Sequence, residues 1–293
     1  MSCRCYNFAV NFKNCLESSL KRKIPVRLTL ILVIPLLLLT SCHRGKHPKL
    51  RSEKGLKVRF EIKNFQEKMG DCDKQDGDCA QVDMVYPIVV EGVPEVQQAI
   101  NDSIYGFLIQ TLVFEGFKGK YSKENLKEAA QSFLNEWRTA NNAEPDNSSN
   151  TGWEVSVTGE VGLHTPKVVS ITMGSYSYAG GAHPNSFVSI FNFDLKTGKT
   201  LTWKDLFTDM HALEKLVEKE FKKARELPKN ADLVEEGFFW GEHFQLPTNF
   251  ELQEEGVYFW YNPFEAAAYA LGPTDFTISY KDLGKLVKKE RIF

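Results

Sequence analysis

The chain has 293 residues, of which 42% are hydrophobic and 25% charged, with 36 Lys and Arg against 38 Asp and Glu. This is the composition of a globular protein and excludes disordered, collagen-like and polytopic membrane classes. A formal charge of -2 without a long basic block also excludes the basic stripe of a nucleic-acid binder, so no nucleic-acid partner is expected.

The N-terminal stretch carries its own signal. Lys21, Arg22, Lys23 and Arg27 precede an apolar run from Leu28 to Leu39. That run is shorter than the roughly 20 apolar residues of a spanning helix and matches the core of an export signal. It closes on Leu39-Thr40-Ser41-Cys42, which resembles a bacterial lipobox, whose cysteine is lipidated and becomes the mature N-terminus. The expectation is a lipoprotein signal peptide over residues 1–41, lipidation at Cys42 as the membrane attachment, and a tether over 42–55. Stable anchoring needs more than one acyl chain, which a lipidated N-terminal cysteine supplies. His43 and His47 have the spacing of a metal-ligating pair, but the neighbouring Pro48 and the lack of a third ligand make this stretch a solvated tether. Six of the 36 basic residues and one of the 38 acids lie in the first 41 positions, which leaves 30 against 37 and a net charge of -7. Such a surface favours cationic partners.

Cys3, Cys5 and Cys15 fall in the signal and Cys42 at the anchor, so Cys72 and Cys79 remain. Two thiols in an exported domain, seven positions apart in an Asp- and Gly-rich stretch, predict a disulfide at a hairpin tip. The acids invite a calcium-loop reading. Starting from Asp71, however, position 6 is Asp76 where glycine is needed and position 12 is Val82 where a bidentate Glu is needed. No metal site is expected.

Residues 56–65 and 81–90 are β-rich and flank that tip, which predicts an antiparallel pair. Pro94 stands at a helix start, with Val96, Ala99, Ile100, Phe107 and Leu108 at helical spacing. A second helix is expected from Ser122 as N-cap, with Leu126, Ala129, Ala130, Phe133, Leu134 and Trp137 on one stripe. The turn-forming residues 141–150 mark a boundary between an N-terminal subdomain over 56–142 and a C-terminal one over 151–293. Beyond it, Val155, Val157, Val161 and Leu163 alternate as in a half-buried strand, and 167–178 and 186–195 continue the β pattern. Residues 196–199 form a reversal around Gly198. Met210, Leu213, Leu216, Val217, Phe221 and Ala224 outline an amphipathic helix. Strands are expected at 249–253, 257–261 and 274–280, followed by a short basic helix. The order predicts an α+β fold, with antiparallel or mixed sheets and packed helices, in two subdomains that share one mature region.

The search for chemistry finds no nucleophile elbow, no HExxH pair, no phosphate-binding glycine loop and no free cysteine beside a histidine. The Ser-x-x-Lys spacing of Ser18 and Lys21 lies in the signal. Glu235, Glu236, Glu242, Glu254 and Glu255 lie near aromatic residues, and paired carboxylates can hydrolyse glycosides; with 38 acids some such proximity arises by chance. No catalytic residue and no cofactor is assigned. The most distinctive stretch runs from Ser175 to Asn185. Gly180-Gly181 permits a tight turn with exposed amides, while Tyr176, Tyr178, His183 and Asn185 supply contact area of the kind found in recognition surfaces. The same residues would also suit a plain strand connection.

Three runs carry a resemblance: Tyr178-Ala179-Gly180-Gly181-Ala182-His183-Pro184-Asn185, then Phe191-Asn192-Phe193-Asp194-Leu195-Lys196-Thr197-Gly198-Lys199 with Leu206-Phe207, and the segment from Tyr261 to Gly272. They resemble the RsiV/PdaC-like extracytoplasmic domain family, with Phe264 standing where that family usually has tyrosine. In that family the domain forms the lysozyme-binding outer part of an anti-sigma factor or precedes a peptidoglycan deacetylase domain. Residues 1–27 are short for a sigma-binding domain and the chain holds no deacetylase metal motif, so neither activity is carried over. The resemblance implies a PdaC-like stretch over 56–142 and an RsiV-like stretch over 151–293. The expectation is an extracytoplasmic, lipid-anchored envelope protein. It acts as a non-enzymatic binding module for a cationic protein such as lysozyme, or for cell-wall glycan. Tyr176, Tyr178, Gly180, Gly181, His183 and Asn185 are its candidate ligand-binding residues. The alternative is a glycan-active enzyme, hydrolase or deacetylase-like, that would use His183 with an acid of the C-terminal half.

Overall fold

The computed structural model describes residues 57–73, 78–113, 119–143 and 152–293. The signal peptide, Cys42, the tether, the centre of the 72–79 turn and most of the 141–150 loop lie outside the described residues. No helix among the described residues is long and apolar enough to cross a membrane.

The first sheet begins with β1 (Arg59–Gly70) and β2 (Cys79–Glu91), antiparallel in continuous register from Phe60 opposite Val89 to Gly70 opposite Cys79. A disulfide joins Cys72 to Cys79 at its tip. The strands are longer than their apolar runs suggest, because the pairing carries the polar stretch 66–70 along with it. Ala80, Val82, Met84, Tyr86 and Ile88 alternate with more exposed residues and face α1 (Pro94–Gln110) and α2 (Lys123–Ala143). Pro94 opens α1 at a position where a backbone N–H would have no helical partner. Ser122 caps α2 by accepting the Asn125 amide at 3.4 Å. Both helices bury their stripes in one core, with Ile100, Ile104 and Leu108 against Leu126, Phe133 and Leu134.

This helical pair is the crossover that a parallel connection requires. It returns the chain to β3 (Trp153–His164), which runs parallel to β2 from Ala80 opposite Trp153 to Val85 opposite Thr158. The sheet therefore takes strands from both sides of the 141–150 loop. β4 (Val168–Tyr178) and β5 (Asn185–Asp194) complete it by antiparallel pairing, in the order β1-β2-β3-β4-β5. A second sheet comprises β6 (Asn249–Leu252), β7 (Gly256–Tyr261) and β8 (Thr274–Ser279). Its core includes Leu206 of α3 (Trp203–Leu206), Leu213 and Val217 of α4 (Met210–Ala224), and Leu283 of α5 (Tyr280–Leu283). α3 starts with a capping box between Thr202 and Asp205. Among the described residues, two sheets and five α-helices give the expected α+β class.

The junction of the two sheets is polar. β4 is buried on both faces from Val168 to Ser175: Val169, Ile171 and Met173 join the helix-side core, while Ser170 and Thr172 face β6. Neither sheet extends across the junction by ordinary strand pairing. Asparagine amides bridge it instead, since a primary amide offers the same donor and acceptor atoms as a peptide group. Asn249 Nδ2 donates to Val188 O at 3.0 Å, and the Ile190 N–H donates to Asn249 Oδ1 at 2.9 Å. Asn262 treats Val188 the same way, at 2.9 and 2.8 Å. Reciprocally, Asn192 of β5 donates to Phe250 O at 2.7 Å and accepts the Leu252 N–H at 3.1 Å, while Ser170 Oγ donates to Asn192 Oδ1 at 2.7 Å. All three asparagines are buried. Further along β5, the Asn192 and Asp194 backbones meet Leu201 and Lys199 of the returning chain.

Asn249→Ala deletes one bridge and leaves the part-buried Ile190 N–H without its acceptor, at a cost of about 1–3 kcal/mol. A fall of that size is expected in urea unfolding at an unchanged m-value, whereas Asn185→Ala on the exposed start of β5 should change stability little. Equal effects of the two substitutions would contradict the bridging role.

Glu251 of β6 also reaches across the junction. Thr172 Oγ1 donates to its Oε1 at 3.5 Å and Gln253 Nε2 to its Oε2 at 2.8 Å. A side chain at Gly162 would collide with the carboxylate, so the glycine makes room for it. Burial lifts the Glu251 carboxyl above the ordinary carboxylate range, and Glu160 lifts it further against the two hydrogen bonds. The native state therefore holds a proton that the unfolded chain releases earlier. Stability is full below the unfolded carboxylate value and falls as pH rises toward the elevated native one. Glu251→Gln should accordingly raise the melting temperature at pH 8 and make no difference at pH 3.5, as read by calorimetry at both pH values.

Candidate ligand-binding surface

The β4–β5 connection over residues 179–184 holds Gly180 at φ +79° and Gly181 at φ +103°, in the left-handed region that side chains resist. A side chain at Gly181 would meet nothing within 4 Å, so the requirement there is backbone conformation and not space. Tyr178 Oη donates to Gly181 O at 3.2 Å and braces the turn. Strand alternation puts Tyr176 and Tyr178 on the face of the sheet away from α1 and α2, with Tyr178 opposite Glu154 of β3. Burial, and then the charge of Glu154, push the Tyr176 hydroxyl up, with Tyr269 and Tyr178 contributing. Burial also raises the Glu154 carboxyl, reinforced by Asp83 and opposed by a hydrogen bond from Gln81.

The other half of the surface comes from the C-terminal stretch. The His183 ring stacks on Tyr269 with centroids 4.3 Å apart and planes 18° apart. Tyr269 Oη donates to Pro184 O at 3.1 Å, which ties the glycine turn to the 269–271 turn. The Phe264 ring lies 5.5 Å from Tyr269 and 6.5 Å from His183. Trp240 Nε1 donates to Phe264 O at 3.2 Å. Trp240 is 62% exposed and Phe264 51%. Both have positive φ, 55° and 67°, strain of about 1–3 kcal/mol each that the surroundings hold in place. Their near neighbours in the chain, Phe239 and Ala266, are buried in one cluster with Phe221 and Tyr261. Arg225, at the end of α4, donates to the carbonyls of Leu271, Gly272 and Pro273 and to Thr274 Oγ1, and sits 5.4 Å over Phe238. It fixes the turn that carries Tyr269.

Of the residues expected from sequence, Tyr176, Tyr178, Gly180, Gly181 and His183 meet on this surface, and Asn185 starts β5 opposite Ser177, exposed. Trp240 and Tyr269 were not singled out. Trp240 lies in irregular chain between Gly237 and Gly241, where no periodicity marks it, although a tryptophan between two glycines in an acidic stretch is itself a surface signal. The acids of the hydrolase alternative are divided: Glu235, Glu236 and Glu242 are exposed on either side of Trp240 in the chain, whereas Glu254 and Glu255 occupy the β6–β7 turn. Among the described residues no group of three or more His, Cys, Asp or Glu side chains converges as a metal site.

Two family models match the chain: deacetylase PdaC over residues 73–186 and a protein family of unknown function, DUF3298, over residues 204–281. The peptidoglycan-N-acetylmuramic acid deacetylase PdaC of Bacillus subtilis (strain 168) is 24% identical, over 66% of this chain and 44% of its own length. The chain thus spans less than half of that relative. A DUF3298 crystal structure from Bacteroides fragilis superposes with a TM-score of 0.64 at 18% identity, over 80% of this chain and 94% of that one. One from Pseudomonas aeruginosa gives 0.57 at 18% identity, over 80% and 97%. The two structures share the fold. These matches support a PdaC/DUF3298-like family, in agreement with the resemblance seen in the sequence.

Gly181→Val would force a β-branched residue into the left-handed region. It is expected to lower the melting temperature by a few degrees and to shift the His183 ring-proton resonances as the stack on Tyr269 loosens. Unchanged His183 resonances would show that the turn does not hold the stack.

Proposed function

We propose that the protein is an envelope-associated, non-enzymatic binding module, tethered through a lipid on Cys42, whose ligand is a cationic protein such as a lysozyme. The observation that carries this reading is the exposed cluster of Trp240, Phe264, Tyr269 and His183. Exposed aromatics held in place by stacking and hydrogen bonds are the side chains that dominate protein interfaces. Glu235, Glu236 and Glu242 beside Trp240, on a chain whose predicted mature charge is -7, give the rim the sign that attracts a basic partner. The likeness to a relative named for peptidoglycan supports the envelope location. It also favours cell-wall glycan as a second ligand class, since sugars stack on such aromatic faces.

The test is calorimetric titration of the protein with a cationic lysozyme and with peptidoglycan fragments at low and high salt. Lysozyme binding that weakens with salt, and weakens about 30-fold in Trp240→Ala, is expected. Heat with glycan alone that is lost in Trp240→Ala would move the ligand class to the second reading. Release of acetate or reducing ends from the glycan would replace the binding module by an enzyme.

A further inference from the structure

The helix side of the first sheet holds a cleft of about 340 Å³ that the aromatic surface does not use. Tyr176 and Tyr178 lie on one face of the sheet, whereas Ser189, paired with Met173, and Phe191, paired with Ile171, lie on the other. The cleft opens between β5 and α1. From the size and chemistry of its lining we propose that it is a second ligand site, which takes an uncharged sugar ring.

Three aromatic residues, Phe107, Tyr121 and Phe191, form its walls. A pyranose ring presents two apolar C–H faces inside a rim of hydroxyls, and aromatic walls match those faces. The polar lining is the complement of the rim: Asp102, Ser103, Gln110 and Ser189 provide a carboxylate, two hydroxyls and an amide, a mixture of donors and acceptors. Part of it is already organised. Gln98 Nε2 donates to Asp102 Oδ1 at 2.6 Å, and Gln110 Nε2 donates to Tyr121 Oη at 3.3 Å, which orients the phenol at the mouth. Among the described residues that line the cleft, Asp102 is the sole charge, so phosphorylated and acidic sugars are disfavoured. The volume lies near the lower end of the roughly 300–1,000 Å³ of small-molecule sites, which suits one or two rings of a short oligosaccharide whose remaining ring stays in solvent.

Gly106 also lines the cleft. It stands inside α1, where glycine costs about 1 kcal/mol relative to alanine. Its φ is not in the left-handed region, and a Cβ there would meet the Tyr121 ring at 3.5–3.6 Å, an ordinary contact. Packing and backbone conformation would both accept alanine. The Tyr121 ring packs over Gly106, so the two residues form one closed side of the cleft.

The experiment is saturation-transfer NMR and calorimetry on the full-length protein, with N-acetylglucosamine trimer as the probe and glucuronic acid as the acidic comparison. The trimer is expected to bind and glucuronic acid to bind at least tenfold more weakly. Asp102→Ala and Phe191→Ala should each reduce trimer affinity tenfold or more. Melting temperatures of these two variants, measured alongside, separate a loss of binding from a folding defect. Trp240→Ala on the opposite face should leave trimer binding intact. Absence of trimer binding, equal affinity for glucuronic acid, wild-type affinity in the Asp102 and Phe191 variants, or loss of binding in Trp240→Ala would each overturn the proposal. Lysozyme titration of the same variants keeps the two sites apart, because failure of this site leaves the Trp240 surface unaffected.

Discussion

Three buried asparagine amides hold this molecule's two sheets in register with one another. β5 ends the first sheet and β6 begins the second, and neither can pair with the other as a strand. Asn249 and Asn262 supply peptide-like groups to β5, and Asn192 supplies one to β6. An apolar contact of similar area would tolerate sliding by a fraction of a residue; paired donors and acceptors at 2.7–3.1 Å do not. The arrangement also solves the edge problem, because backbone groups that would otherwise invite another chain are satisfied internally.

The candidate surface inherits its geometry from this junction. Asn262 follows Tyr261 at the end of β7 and precedes Phe264 by two residues. Its side chain binds Val188 and accepts Trp260 Nε1 at 2.9 Å, and its own N–H donates to Glu265 Oε2 at 2.8 Å. One residue therefore fixes the end of the second sheet to β5 and sets the turn that presents Phe264. From the other direction, Tyr269 binds Pro184 and Arg225 binds the carbonyls after Tyr269. The aromatic patch is rigid because residues from α4, β7 and the β4–β5 turn over-determine it. That rigidity is what sustains positive φ at Trp240 and Phe264.

Much of the architecture was legible in the sequence. Alternation in β3 and the helical stripes of α1, α2 and α4 are local patterns that burial imposes on any half-covered element. Strands β6, β7 and β8 were placed to within a residue or two because turn-forming residues bound them. The parallel pairing of β2 with β3 was not legible, since it depends on where a two-helix crossover returns the chain. Nor was the role of Asn192, Asn249 and Asn262: an asparagine beside a strand usually marks a turn, and only the tertiary arrangement turns it into a strand mimic. The glycine turn and its tyrosines stood out by composition. Their partners Tyr269 and Trp240 lie more than 50 residues further on, beyond the reach of any local pattern.

The most direct measurement of this account is backbone amide hydrogen exchange at Val188 and Ile190. Both amides lie on the outer edge of the last strand of a sheet, where an unpaired edge would exchange within the time of local fraying. The asparagine bridges predict protection close to that of the buried amides of β4, lost together on global unfolding. Rapid exchange at both positions, with β4 still protected, would contradict the claim that these amides hold the two sheets together.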